Sequence, residues 1–235
     1  MTDTTDPSER PTVNRRTYLG AIGAVGVTGL AGCTSSIPFV GDETMEFSAN
    51  VASLPPAALD ETGYEEDEID EVVVEETVEA ASQRQDVRLM NWQAEYDKSV
   101  DVAEFGLPVD DEVQGAVFTA LSTPQVSVLG RTSNPVGDMD SDELAEMVQD
   151  RFDGMDELER VGEDTVSIRG ESTAVGEFDT EAELRDGGHV IDVTLHIAEA
   201  VESGEDLIVG VGGYPTAMRQ DERDHVMALL RSIEH

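Results

Sequence analysis

The chain sets 52 Asp and Glu against 14 Lys and Arg, a formal net charge of -38 over 235 residues, so any fold it adopts must hold its carboxylates apart or screen them. Lys98 is the only lysine. In dilute buffer a charge of this size destabilises a compact state by self-repulsion. At molar salt the Debye length falls to about 3 Å, and a hydrated carboxylate surface becomes tolerable. Acid-rich chains with few aromatics often cannot bury enough surface to fold. Here 39% of residues are hydrophobic, with an excess of valine that suits a sheet core. The acidity excludes nucleic acid as a partner, because no basic patch exists to release counterions from phosphates.

Near the N-terminus Arg15 and Arg16 precede a weakly apolar run, Tyr18 to Leu30, which is too short and too glycine-rich to span a bilayer. A basic start, a short apolar run and a small-residue processing site describe an export signal. The paired arginines mark it as a twin-arginine signal, read by the twin-arginine export machinery. Leu30, Ala31, Gly32 and Cys33 resemble a lipobox, in which the residues before the cysteine are removed and its sulfur carries a lipid. Cys33 is the only cysteine, so an intramolecular disulfide, a multi-cysteine zinc site and a CxxC redox pair are excluded. Two lipid chains on Cys33 anchor stably where one is marginal. The expected organisation is a signal peptide over 1–32, a lipidated tether over 33–43 and a single globular domain over 44–235, held on the outer face of the cell membrane.

Within 44–235 the periodicities predict both helices and strands. Met45, Phe47 and Ala49 alternate as a short strand. Pro55-Pro56 and Gly63 bracket a helix, and the acidic cluster Glu65 to Glu68 reads as a solvated turn. Ile69 to Ala80 and Asp86 to Val100 form a hairpin through Ser82-Gln83-Arg84-Gln85, with Arg88, Met90, Trp92, Ala94, Tyr96 and Lys98 on one face. Asp140 with Glu143 gives a capping box, and Leu144, Met147, Val148 and Phe152 then share one helix face. Thr165 to Arg169, Thr173 to Leu184, His189 to Ala200 and Leu207 to Tyr214 read as a meander. A last helix runs from about Asp221 to Ser232.

Gly115 to Gly137 carries one charge, Arg131. It reads either as a central strand and covered loop or as an uncharged contact surface using Gln125, Arg131 and Asn134. Searches for chemistry return little: no Gly-x-Ser-x-Gly elbow, no His-Glu-x-x-His, no phosphate-cradling loop. Gly210-Val211-Gly212-Gly213 lies inside a predicted strand and reads as close packing. His196 with Asp192 is the one histidine-carboxylate pair on a predicted strand face. Asp138, Asp140 and Asp142 fail as an EF-hand, because Glu143 and Gln149 replace the required glycine and glutamate. No metal or cofactor is expected.

The succession of Arg15-Arg16, the Cys33 lipobox, Asn91-Trp92, Leu121-Ser122-Thr123-Pro124-Gln125-Val126, Asn134-Pro135-Val136-Gly137 and the final helix resembles a family of haloarchaeal lipoproteins classed as a domain of unknown function. The order of elements ending in Gly212-Gly213-Tyr214-Pro215 and a helix is similar to the Mog1/PsbP type. That resemblance implies an α+β fold, a mainly antiparallel meander sheet flanked by helices as an α-β-α sandwich, and binding or assembly-accessory roles. The expected function is a non-catalytic, lipid-anchored extracytoplasmic binding module with an envelope or membrane protein partner. The alternatives are a solute-binding lipoprotein for a transporter, and a hydrolase in which Asp192, His196 or Arg131 acts.

Overall fold

Period-two alternation runs longest in the hairpin of β2 (Glu65–Ala80) and β3 (Gln83–Asp101), where Ala80 pairs with Gln83 and Glu65 with Asp97. The computed structural model describes residues 44–80, 83–101, 112–128, 131–132, 134–149, 155, 157–183 and 190–235. The predicted N-terminal signal, Arg15, Arg16 and the Leu30-Ala31-Gly32-Cys33 lipobox lie outside these residues.

Antiparallel pairing continues from β3 to β4 (Glu112–Pro124), giving one meander. A second meander is built from β7 (Glu159–Ile168), β8 (Glu171–Glu183) and β9 (Val190–Ala198). Strand β11 (Asp206–Pro215), preceded by the short β10 (Val201–Ser203), lies between β4 and β9 and is antiparallel to both. The last strand in the chain therefore joins two sub-sheets into one of nine strands, ordered β1-β3-β4-β11-β9-β8-β7 with β2 on β3 and β10 on β11. One pairing is parallel: β1 (Met45–Ser48) against β3. A separate two-stranded ribbon joins β5 (Ser127–Val128) to β6 (Arg131–Thr132).

Among the described residues three α-helices accompany the sheet. Helix α1 (Pro56–Thr62) has proline in its first turn and ends on Gly63 at φ 78°, whose N–H donates to the Leu59 carbonyl. Helix α2 (Ser141–Gln149) starts with the expected box: Asp140 Oδ1 accepts from the Glu143 N–H at 2.9 Å while the Asp140 N–H donates to Glu143 Oε2 at 3.2 Å. Helix α3 (Arg219–Ser232) packs Val226, Leu229 and Leu230 against Phe118, Ile208 and Tyr214, with Leu54, Ala58 and Tyr64 around α1 in the same cluster. Residues of opposite parity, Leu195, Ile197 and Val209, meet Leu144 and Ala145 of α2 on the other face.

The glycines of β11 serve packing, as the sequence suggests. A Cβ on Gly212 would stand 2.5 Å from Val226 Cγ1, and one on Gly210 would collide with Leu230. Without side chains at these positions α3 lies directly on the central strand.

Some expectations are corrected. Glu65 to Glu68 begin β2 rather than forming a turn, because they are exposed residues of an edge strand, where carboxylates stay hydrated and block edge-to-edge pairing. Gln83 to Gln85 belong to β3 rather than to the hairpin loop. Strand β7 begins at Glu159, six residues earlier than expected, and α3 begins at Arg219.

Gly212→Ala should destabilise the fold by about 1–3 kcal/mol through overpacking against Val226. Denaturant unfolding in molar KCl reads the cost, and an unchanged midpoint would contradict the packing account.

Candidate ligand-binding site

The face of the sheet under α2 is not filled. A cavity of about 240 Å³ lies between Leu144, Met147 and Val148 of α2, with Met155, and a floor drawn from four strands. Val117, Thr119 and Leu121 come from β4, Val209 and Val211 from β11, Leu195 and Ile197 from β9, and Ala182 from β8. These residues share a face because each pairing is antiparallel and side chains alternate. Leu144, Met147 and Val148 of α2 pack on part of this floor with Met155, and the cavity lies over the rest. Val117 is 44% exposed at the margin. Among the described residues no charged side chain lines the space, and Gln93 and Thr119 are its polar side chains.

The opposite face holds two polar clusters. Glu222 of α3 is buried, accepting from Lys98 Nζ at 2.5 Å and from the Tyr64 hydroxyl at 3.2 Å, with His225 Nδ1 3.3 Å away. Burial and the Glu222 carboxylate push the Tyr64 phenol far up. The single lysine thus neutralises a buried acid and ties α3 to β3.

The second cluster surrounds His196, whose ring is fully buried. Its Nε2 lies 2.7 Å from the Tyr214 hydroxyl, and its Nδ1 has no hydrogen-bond partner. Arg219 pairs with Asp179 and with Glu177 at 3.2 Å, and Arg223 with Asp164 and with Glu177 at 3.6 Å. Burial first, then the Arg223 charge, pushes His196 down to about 4. Asp192, its expected partner, is exposed. Although the two residues share a strand parity, His196 reaches Tyr214 of the neighbouring strand across the β9–β11 register.

The other sequence candidates are not gathered at the cavity. Asn134 is buried, and its amide donates to Thr123 Oγ1 at 2.7 Å and the Pro124 carbonyl at 3.0 Å while accepting from the Val136 N–H. Gln125 is exposed and its N–H donates to the Glu205 carbonyl. Arg131 lies in β6, paired with Val128. Ala116, Phe118 and Ala120 are completely buried, so the first part of the uncharged segment is a central strand.

Sequence reasoning missed the cavity, whose lining is spread over more than ninety positions. It also missed a contact at the C-terminal residue. His235 Nδ1 lies 3.0 Å from Ser203 Oγ and its Nε2 3.1 Å from Asp206 Oδ2, without hydrogen-bond alignment at Nε2. Asp206 Oδ2 already accepts the Asn50 N–H and side-chain amide at 2.9 and 3.0 Å. The carboxylate is committed to a structural lock, and no spacing in the sequence signals it. Among the described residues no group of three or more His, Cys, Asp or Glu is placed to hold a metal. Among them no helix is long and apolar enough to cross a membrane.

Two outcomes follow from the polar clusters. Lys98→Met leaves Glu222 buried without its cation and should cost about 3–5 kcal/mol, most of it recovered by adding Glu222→Gln; a fully additive double mutant would contradict the pairing. For His196 the folded pKa lies below the unfolded value of about 6.5, so the unfolded chain binds more protons between about pH 4 and 6.5. Stability is then complete above pH 6.5 and falls toward pH 4 by about 3 kcal/mol. In His196→Gln this share of the slope should disappear while the carboxylate share remains, read from denaturant midpoints across that range. Parallel pH profiles would refute it.

No curated protein and no solved structure matches the chain. A family model described as Domain of unknown function (DUF6517) matches residues 51–234. That span takes in the three helices, every described strand except β1 and the cavity between them, and the chain belongs to this family.

Proposed function

We propose that the protein is a non-catalytic, lipid-anchored extracytoplasmic binding module, tethered through Cys33 to the outer face of the membrane of a halophilic archaeon. The observation that carries the binding reading is the cavity under α2, walled by aliphatic side chains and methionine. Such a lining recognises apolar groups by shape and burial. Its described lining offers contact to an apolar group, with Gln93 and Thr119 as polar side chains. The twin-arginine pattern and the lipobox support export and anchoring, and the net charge of -38 supports a salt-rich milieu.

A mostly antiparallel sheet with a helix on each face, closed by a C-terminal helix after Gly212-Gly213-Tyr214-Pro215, supports assignment to the Mog1/PsbP type of α-β-α sandwich. Fold-level likeness carries little functional weight, but it agrees with an accessory role beside an envelope or membrane protein. The cavity also favours a second reading, a small solute-binding lipoprotein serving a transporter.

Cys33→Ser should move the protein from the membrane fraction to the soluble fraction. Cross-linking of intact cells should then recover one envelope or membrane protein with the wild type and not with the variant. Turnover of a glycan, peptide or ester by the folded protein in molar salt would overturn the proposal.

A further inference from the structure

The cavity does not end at β4. On the same sheet face each floor residue of β4 stands opposite a polar or acidic residue of β3: Leu121 opposite Gln93, Thr119 opposite Glu95, Val117 opposite Asp97. The next strand continues the change, with Asp70 opposite Gln93, Glu68 opposite Glu95 and Glu65 opposite Asp97. One continuous surface therefore passes from an aliphatic floor on β9, β11 and β4 to a shelf of five carboxylates on β3 and β2. Gln93 stands at the seam: it lines the cavity and donates its side-chain amide to Glu95 at 2.5 Å.

The cavity volume limits the apolar part of a ligand. At about 30 Å³ per water-sized group, 240 Å³ admits roughly eight carbon atoms. The space exceeds the ~150 Å³ apolar cavity known to stay dry and take benzene, and falls short of a pocket for a drug-sized molecule. The lining adds shape preference. Among the described residues it presents no aromatic ring to stack on a flat ligand, the Tyr214 ring lying on the opposite face against His196, and Met147 and Met155 are flexible side chains that fit themselves to a chain. The shelf fixes the sign of the other end, since a carboxylate or phosphate head would meet five like charges there, whereas an ammonium head would meet complementary ones.

We infer that the cavity under α2 binds the aliphatic chain of a cationic amphiphile, about eight carbons of it, with the ammonium head on the β3–β2 carboxylate shelf. The inference rests on the binding-module reading and names its ligand class. The two ends respond oppositely to salt. Screening weakens the head contact, while excluded salts strengthen burial of the chain.

Calorimetric titration of the purified full chain with octylammonium, 1-octanol and octanoate tests it. At the lowest salt that keeps the protein folded, octylammonium should bind at least about ten-fold more tightly than octanoate, with 1-octanol between them. Raising the salt should narrow the gap between octylammonium and 1-octanol. Glu95→Gln with Asp97→Asn should bring octylammonium to the affinity of 1-octanol and leave 1-octanol unchanged. Thr119→Trp, which fills the floor from a half-buried position, should weaken all three, and Val211→Phe gives the same reading should the tryptophan variant fail to fold. Octanoate binding as well as octylammonium would overturn the assignment of the head, and no binding of any octyl probe to folded protein would overturn the assignment of the cavity. The binding-module reading is judged separately, by partner capture in cells without added amphiphile, so either can fail while the other stands.

Discussion

Strand β11 is made last, yet it carries both halves of the sheet. Phe118 and Gly212 are neighbours across β4 and β11 although 94 positions separate them, and on its other edge β11 holds β9. Until β11 inserts, the two meanders are separate sub-sheets with open inner edges, and the loop that insertion closes is long. Closure entropy grows only slowly with loop length, so the arrangement is thermodynamically cheap, but it is slow to find because non-local contacts set the folding rate. What secures β11 once in place is α3, which follows it directly and lies on its glycines. Gly210 and Gly212 leave room for Leu230 and Val226, so the last strand and the last helix are fixed together.

This order explains what could be read from the sequence. The capping box at Asp140 and Glu143, the Gly63 cap and the packing role of the β11 glycines are local, and each residue announces its own backbone or steric requirement. The alternation of β3 was also legible, since Ala94 and Tyr96, expected to share a face, are both buried in one core. The insertion of β11 between β4 and β9 was not, because alternation says which face a residue takes and nothing about which strand lies beside it. Glu65 to Glu68 were misread because charge density suggests a turn when the strand's position in the sheet is unknown. His196 was assigned to its own strand neighbour, Asp192, whereas the register across β9 and β11 gives it to Tyr214. The cavity draws its lining from α2, Met155 and several strands, so no single segment announces it.

Three of the described cations stand beside carboxylates that are buried or partly enclosed. Lys98 serves Glu222, which is buried, while Arg219 and Arg223 serve Glu177, Asp179 and Asp164 between the sheet and α3. Arg88 and Arg160 instead pair with exposed acids, Glu46 and Glu75 in the first case and Asp142 and Glu163 in the second. Solvent ions screen the outer pairs readily and the buried Lys98–Glu222 pair least.

The same division bears on the cavity. In molar salt the outer carboxylates are electrostatically quiet beyond a few ångströms, and long-range steering of a ligand is lost with them. Short-range contact survives, and so does burial of apolar surface, which excluded salts strengthen. A protein working in such a solvent gains most of its discrimination from an aliphatic cavity and from charges that touch the ligand directly. The floor of β4, β9 and β11 with the adjoining β3 and β2 shelf supplies that combination, and it does so because the meanders alternate in register across β4 and β3, placing Leu121, Thr119 and Val117 on the same face as Gln93, Glu95 and Asp97.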